Sequence, residues 1–163
     1  MIKSDGTERK TIFSYACLLF LWACSAEQKV PDYVHIELPP GATNTMTAED
    51  EYSREIAFEI LGQPRDASII ENLERQFRQA GKTRCDTGDE WQPFKDNGPG
   101  TTRRLVRFLR GSKPGSLTTL AVTEHCKPGP NQCQQVVSVK QSFFPPEIGD
   151  REQLIKNICT GQE

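Results

Sequence analysis

The apolar run from Thr11 to Ala23 constrains this chain more than any other stretch. It is led by Arg9-Lys10 and followed by the small residues Ser25 and Ala26. Basic head, short apolar centre and small-residue zone are the order of a secretory leader, here residues 1–23. As a helix the run would reach only ~20 Å at ~1.5 Å per residue. A membrane-spanning helix needs ~20 apolar residues. A chain whose leader is removed folds outside the reducing cytosol, where cysteines pair.

That bears directly on the fold, because the chain has six cysteines. Cys17 falls in the leader and Cys24 at its end, which leaves Cys85, Cys126, Cys133 and Cys159. An even set in an oxidising compartment predicts two disulfides, and four cysteines allow three pairings. The segment Lys127-Pro128-Gly129-Pro130-Asn131-Gln132 is a turn that brings Cys126 and Cys133 together. We therefore expect Cys126–Cys133, and Cys85–Cys159 by elimination. A metal site built from His125, Cys126 and Cys133 is the competing use of these residues. Its cysteine spacing is longer than metal-binding pairs usually show, so neither metal nor cofactor is expected.

Leu21-Trp22-Ala23-Cys24 resembles the lipobox of bacterial lipoproteins. The resemblance implies cleavage before Cys24 and attachment of a diacylglycerol to its sulfur. More than one acyl chain gives a firm anchor, since each buried CH₂ contributes ~0.8 kcal/mol. It also implies a palmitate-type lipoprotein held at the membrane, on the periplasmic face of the outer membrane, because Ser25 rather than Asp follows the cysteine. The alternative is ordinary cleavage after Ala26 or Ala23, giving a soluble periplasmic or secreted protein.

Of 20 Lys+Arg and 22 Asp+Glu, three and two precede Cys24, so the remainder carries a formal charge of −3. A near-neutral body argues against a nucleic-acid partner, which requires a concentrated basic surface. Its length suits one domain with a substantial core. Residues 24–45 are polar and Pro-bearing and read as a tether or linker, within which the alternation of Val34, Ile36 and Leu38 makes Tyr33 to Leu38 a short strand or an extended arm. The domain is then 46–163.

Within it, Ile56, Phe58 and Ile60 alternate with Glu55, Ala57 and Glu59, a half-buried strand ended by Gly62-Gln63-Pro64. Tyr52, Ile56 and Ile60 would also suit a helix; the length favours the strand. Thr47 to Tyr52 is a loop or a partner strand. Ile69, Ile70, Leu73, Phe77 and Ala80 form a helical stripe. Asp66 or Ser68 caps it, Ser68 with Glu71 forming a capping box, and Gly81 ends it. Glu71, Glu74, Arg75, Arg78 and Gln79 are expected to face water. Trp91 and Phe94 anchor a strand packing onto this helix. Arg103–Arg110 and Leu117–Cys126 form a hairpin, and Gln134–Gln141 a third strand. Asp150 caps a short helix turning Leu154, Ile155 and Ile158 inward. Strands run consecutively after a single long helix, so the fold class is α+β: an antiparallel sheet of four to five strands with the main helix on one face and a short C-terminal helix. The order of these elements over residues 38–140 resembles a class of small exported bacterial proteins, and it implies no chemistry.

Arg103, Arg104, Arg107 and Arg110 are the densest charge cluster. They are candidates for binding an anionic surface, at ~1 kcal/mol per basic group; the plainer reading is an edge strand whose charge blocks aggregation. Asp86, Asp89 and Glu90 crowd one loop near Trp91 and are the candidates for an envelope hydrolase. They share one turn and lack an evident partner, and the motifs of Ser hydrolases, phosphate loops and zinc peptidases do not occur. The expected function is therefore non-enzymatic: an exported module that binds a protein or another envelope component. A periplasmic immunity or inhibitor protein is a more specific form of the same reading.

Overall fold

The structure is a computed structural model that describes residues 33–86, 88, 90–94, 101–127 and 132–161. It is α+β, a seven-stranded antiparallel sheet with one helix mid-chain and one at the C-terminal end. The elements run β1 (Thr43–Glu49), β2 (Ser53–Gly62), α1 (Ser68–Gln79), β3 (Thr83–Arg84), β4 (Gln92–Pro93), β5 (Thr101–Arg110), β6 (Ser116–Cys126), β7 (Cys133–Phe143) and α2 (Arg151–Thr160). Across the sheet the order is β1-β2-β7-β6-β5-β3, with β4 also on β5. The strand count exceeds the expected four to five. β3 and β4 are two residues each, too short to carry a period, and β1 is exposed throughout, so no apolar alternation marked it.

Strand register builds one apolar face. Leu105, Val122, Val137 and Phe58 lie on one cross-strand row, and Arg107, Leu120, Val139 and Ile56 on the next. Ile70, Leu73 and Phe77 of α1 close over these rows, each at most 1% exposed. Spacings of three and four residues put them on one side of the helix. Burying each side chain of this size contributes ~1.5–3 kcal/mol.

Only the N-terminal cap of α1 differs from the expectation. Ser68 is already helical, and its N–H donates to Asp66 Oδ1 (2.8 Å), so the capping box does not form. Past the other end, Gly81 adopts φ +81°. Its N–H donates to the Arg78 carbonyl and the Lys82 N–H to the Phe77 carbonyl, both at 3.0 Å, the paired bonds of a Schellman turn. In α2, Asp150 accepts from the Gln153 N–H (3.1 Å), as expected.

Four further expectations are corrected. Residues 33–45 do not stand off as a tether: Ile36 is 5% exposed within the core, and Val34 and Ala42 pack against it. Gln141 fixes this arm by accepting from the Val34 N–H and donating to its carbonyl. Residues 1–32 lie outside the described residues. Glu74 does not face water but is buried against the sheet. Leu154 is exposed, so α2 turns in mainly through Ile155. Trp91 reaches the core, whereas Phe94 is exposed and its strand is only β4.

Candidate functional site

Cys126 and Cys133 end β6 and begin β7, where they are register partners, and they are disulfide-bonded. Cys85 is bonded to Cys159 of α2. These are the two pairs expected from the sequence, and they are consistent with an extracellular or periplasmic protein. Both sulfurs of the proposed His125, Cys126 and Cys133 metal set are therefore committed to a bond. His125 points to the other face of the sheet, with Nδ1 3.3 Å from Thr102 Oγ1. Cys24 lies outside the described residues. Among the described residues, no helix is long and apolar enough to cross a membrane.

The arginine run is divided by the pleat, because successive residues of a strand point to opposite faces. Arg103 and Arg107 lie on the α1 side. Arg107 is buried and meets Glu74 across the helix–sheet interface, Nε to Oε2 3.7 Å. Its Nη1 donates to the Gly88 carbonyl (3.0 Å). Burial holds its guanidinium below the ordinary pKa and Arg84 adds to this, while Glu74 and Asp86 oppose it. Arg104 and Arg110 lie on the other face. Arg104 stands over the Phe94 ring, 5.6 Å from its centroid, and Arg110 pairs with Glu152 of α2. The four side chains thus form no single basic surface.

The acidic loop is likewise divided. Asp86 Oδ1 accepts from the Phe108 N–H (2.8 Å), and its carboxylate pairs with Arg84. It braces the loop against β5. Glu90 is exposed, and Asp89 lies outside the described residues.

The sheet face away from α1 has two halves. At the β5–β6 hairpin end α2 is pinned by Arg110–Glu152, by the Gly115 N–H donating to Glu152 Oε1 (3.1 Å) and by the Cys85–Cys159 bond. Leu117, on this face, is buried there. The other half, on β1, β2 and β7, is left open by the described residues. Register places Met46, Ala57, Glu59, Leu61, Val136 and Ser138 on it. Met46 is 72% exposed, Leu61 68% and Val136 42%.

A cleft of ≈ 530 Å³ borders this open half, lined by Gly41, Glu59, Leu61, His125, Lys127 and Gln134 among others. Glu59 Oε2 accepts from Asn44 Nδ2 (2.7 Å) and Gln134 Nε2 (3.0 Å), so the carboxylate is held in place. An apolar wall, a fixed acceptor and a lysine suit recognition of a mixed polar and apolar surface. Sequence reasoning missed this surface. Its signal was the minority residue of each strand: Leu61 and Val136 sit out of phase with Phe58, Ile60, Val137 and Val139. Comparison with protein-family models, curated proteins and solved structures yields no match.

Proposed function

We propose that this protein is an exported, non-catalytic binding module, anchored by lipid at Cys24, that engages a protein partner in the cell envelope through the open half of its sheet. The observation that carries this reading is the exposure of Met46, Leu61 and Val136 on one face of the sheet, beside the Glu59–Lys127 cleft. Exposed large apolar groups gathered on one face, with polar groups at their rim, are the usual composition of an interaction surface. The engagement of Asp86 with Arg84 and a backbone N–H weighs against the hydrolase alternative. An immunity or inhibitor protein is the specific form of module that a rigid, disulfide-braced domain suits. Metabolic labelling with a radiolabelled fatty acid tests the anchor: label on the wild type and none on Cys24→Ala is expected, and label persisting on Cys24→Ala refutes it. Capture from solubilised envelope tests the surface. A partner retained by the wild type is lost with Leu61→Asp/Val136→Asp, and retention by that folded variant refutes the assignment of this face.

A further inference from the structure

The Cys126–Cys133 bond lies within a larger set of donors. Glu124 is two residues before Cys126 on β6, and Gln135 is two residues after Cys133 on β7. Residues two apart on a strand share a face. Register pairs Glu124 with Gln135 and Cys126 with Cys133, so the four occupy two adjacent rungs on the α1 side. A Glu124 carboxylate oxygen and both sulfurs lie within 4.8 Å of one another. Three of the four are enclosed, Glu124 at 1% exposed and Cys133 and Gln135 at 0%, and Cys126 is half-buried. A hydrogen bond from the Arg65 N–H to Oε2 (2.7 Å) orients the Glu124 carboxylate.

Gln135 supplies a second, independent observation. Its amide nitrogen is directed at the carbonyls of Gln63 and Asp66, whereas its Oε1 is buried with no hydrogen-bond partner. A buried polar oxygen left without a donor is costly and calls for an explanation. That oxygen would be 2.7 Å from a Cβ at Gly62, the β2 residue paired with Cys133, so it stands beside the cysteine rung.

We propose that reduction of the Cys126–Cys133 bond converts these two rungs into a closed site for a thiophilic divalent cation of the Zn²⁺ class, held by Cys126, Cys133 and Glu124 with Gln135 Oε1 as the fourth donor. Two thiolates and two oxygens are a donor set that tetrahedral Zn²⁺ accepts. Once the bond opens, the sulfurs need separate only to ~3.7 Å, as two ~2.3 Å Zn–S bonds at a tetrahedral angle require. Reduction by a phosphine breaks the S–S bond. The two sulfurs gain two electrons and two protons, and the phosphine and one water become the phosphine oxide and supply both. The cation then displaces both thiol protons to solvent and forms two metal–sulfur bonds. Oxidised and metal-loaded forms are mutually exclusive, since the disulfide leaves neither sulfur as a thiolate.

The test is titration of the full chain carrying Cys17→Ser/Cys24→Ser, so that every remaining cysteine is disulfide-bonded, with Co²⁺ before and after phosphine reduction, read by absorption. The oxidised protein shows no thiolate-to-metal band. The reduced protein takes up one Co²⁺ with a near-ultraviolet charge-transfer band and tetrahedral visible bands, both displaced by Zn²⁺. Cys126→Ser/Cys133→Ser abolishes the bands, and Glu124→Gln weakens binding by about tenfold or more. Alkylation of the same reduced chain locates the site without substituting its ligands: Zn²⁺ protects Cys126 and Cys133 and leaves Cys85 and Cys159 reactive. Any one of three results overturns the proposal: a reduced chain without the bands, whether or not it stays folded; bands surviving in Cys126→Ser/Cys133→Ser; or protection falling on Cys85 and Cys159.

Discussion

Glu74→Ala is the substitution whose cost the structure bounds most closely. The Glu74 side chain is 8% exposed and that of Arg107 6%, with Nε and Oε2 3.7 Å apart between α1 and β5. Alanine at 74 leaves the Arg107 guanidinium in the interior beside the like charge of Arg84. Removing one partner of a buried pair costs ~3–5 kcal/mol, because the remaining charge stays desolvated. Asp86 and the Gly88 carbonyl continue to satisfy Arg107 in part, which places the expected loss at the low end, ~3 kcal/mol. Arg78, the other partner of Glu74, is 59% exposed and adds little. Helix propensity runs the other way, since alanine is the better helix former by a few tenths of a kcal/mol. Urea unfolding followed by far-ultraviolet circular dichroism measures the loss. With a slope of ~2 kcal/mol per molar urea the midpoint falls by ~1.5 M. The paired variant Glu74→Leu/Arg107→Met removes both charges and is expected within ~1 kcal/mol of the wild type. A Glu74→Ala loss below ~1 kcal/mol, or a paired variant as unstable as the single one, refutes the argument.

Lys82 gives a pH signature. Burial, and then the like charge of Lys113, hold its ammonium below the ordinary value of 10.5. Above the folded pKa the unfolded chain binds more protons than the native one, so this group's contribution to stability rises with pH up to about 10.5 and is absent below that window. Lys82→Met removes the rise; wild-type and variant stability curves that run parallel from neutral to pH 10 would disprove it. The two disulfides differ in loop length, 74 residues against 7. Removing Cys85–Cys159 is expected to cost ~4.5 kcal/mol and Cys126–Cys133 ~2.5 on the chain-entropy account. Thermal unfolding of Cys85→Ser/Cys159→Ser and Cys126→Ser/Cys133→Ser checks the order, and a reversed order contradicts it.

Local pattern made α1, β2 and the β5–β7 strands legible. Ile70, Leu73 and Phe77 recur at helical spacing, and Phe58, Val137 and Val139 lie on one side of their strands, because each must meet the same core. β3 was not legible and β1 and β4 only in part, as a loop or partner strand over Thr47 to Tyr52 and a strand around Trp91 and Phe94, since their pairing depends on backbone bonds to a neighbour and leaves no side-chain period. Glu74 illustrates the same limit. It is four residues after Ile70 and three before Phe77, so helical phase already sets it at the edge of the buried side, but its pairing with Arg107 of β5 is decided only by the packing of α1 on the sheet. The open half of the sheet was illegible for a related reason: Met46 and Leu61 lie on consecutive strands but Val136 comes from distant β7, and only register brings all three to one face.

The sequence by itself made the α+β class and the Cys126–Cys133 pair legible, because apolar period and a proline-rich turn are local properties of the chain. Tertiary structure alone decided how the four arginines divide between two faces, that residues 33–45 join the core, and that Glu124 and Gln135 flank the Cys126–Cys133 rung. Those outcomes depend on strand register and on which face α1 covers. Register is fixed by long-range hydrogen bonds and burial together, which no window of neighbouring residues contains.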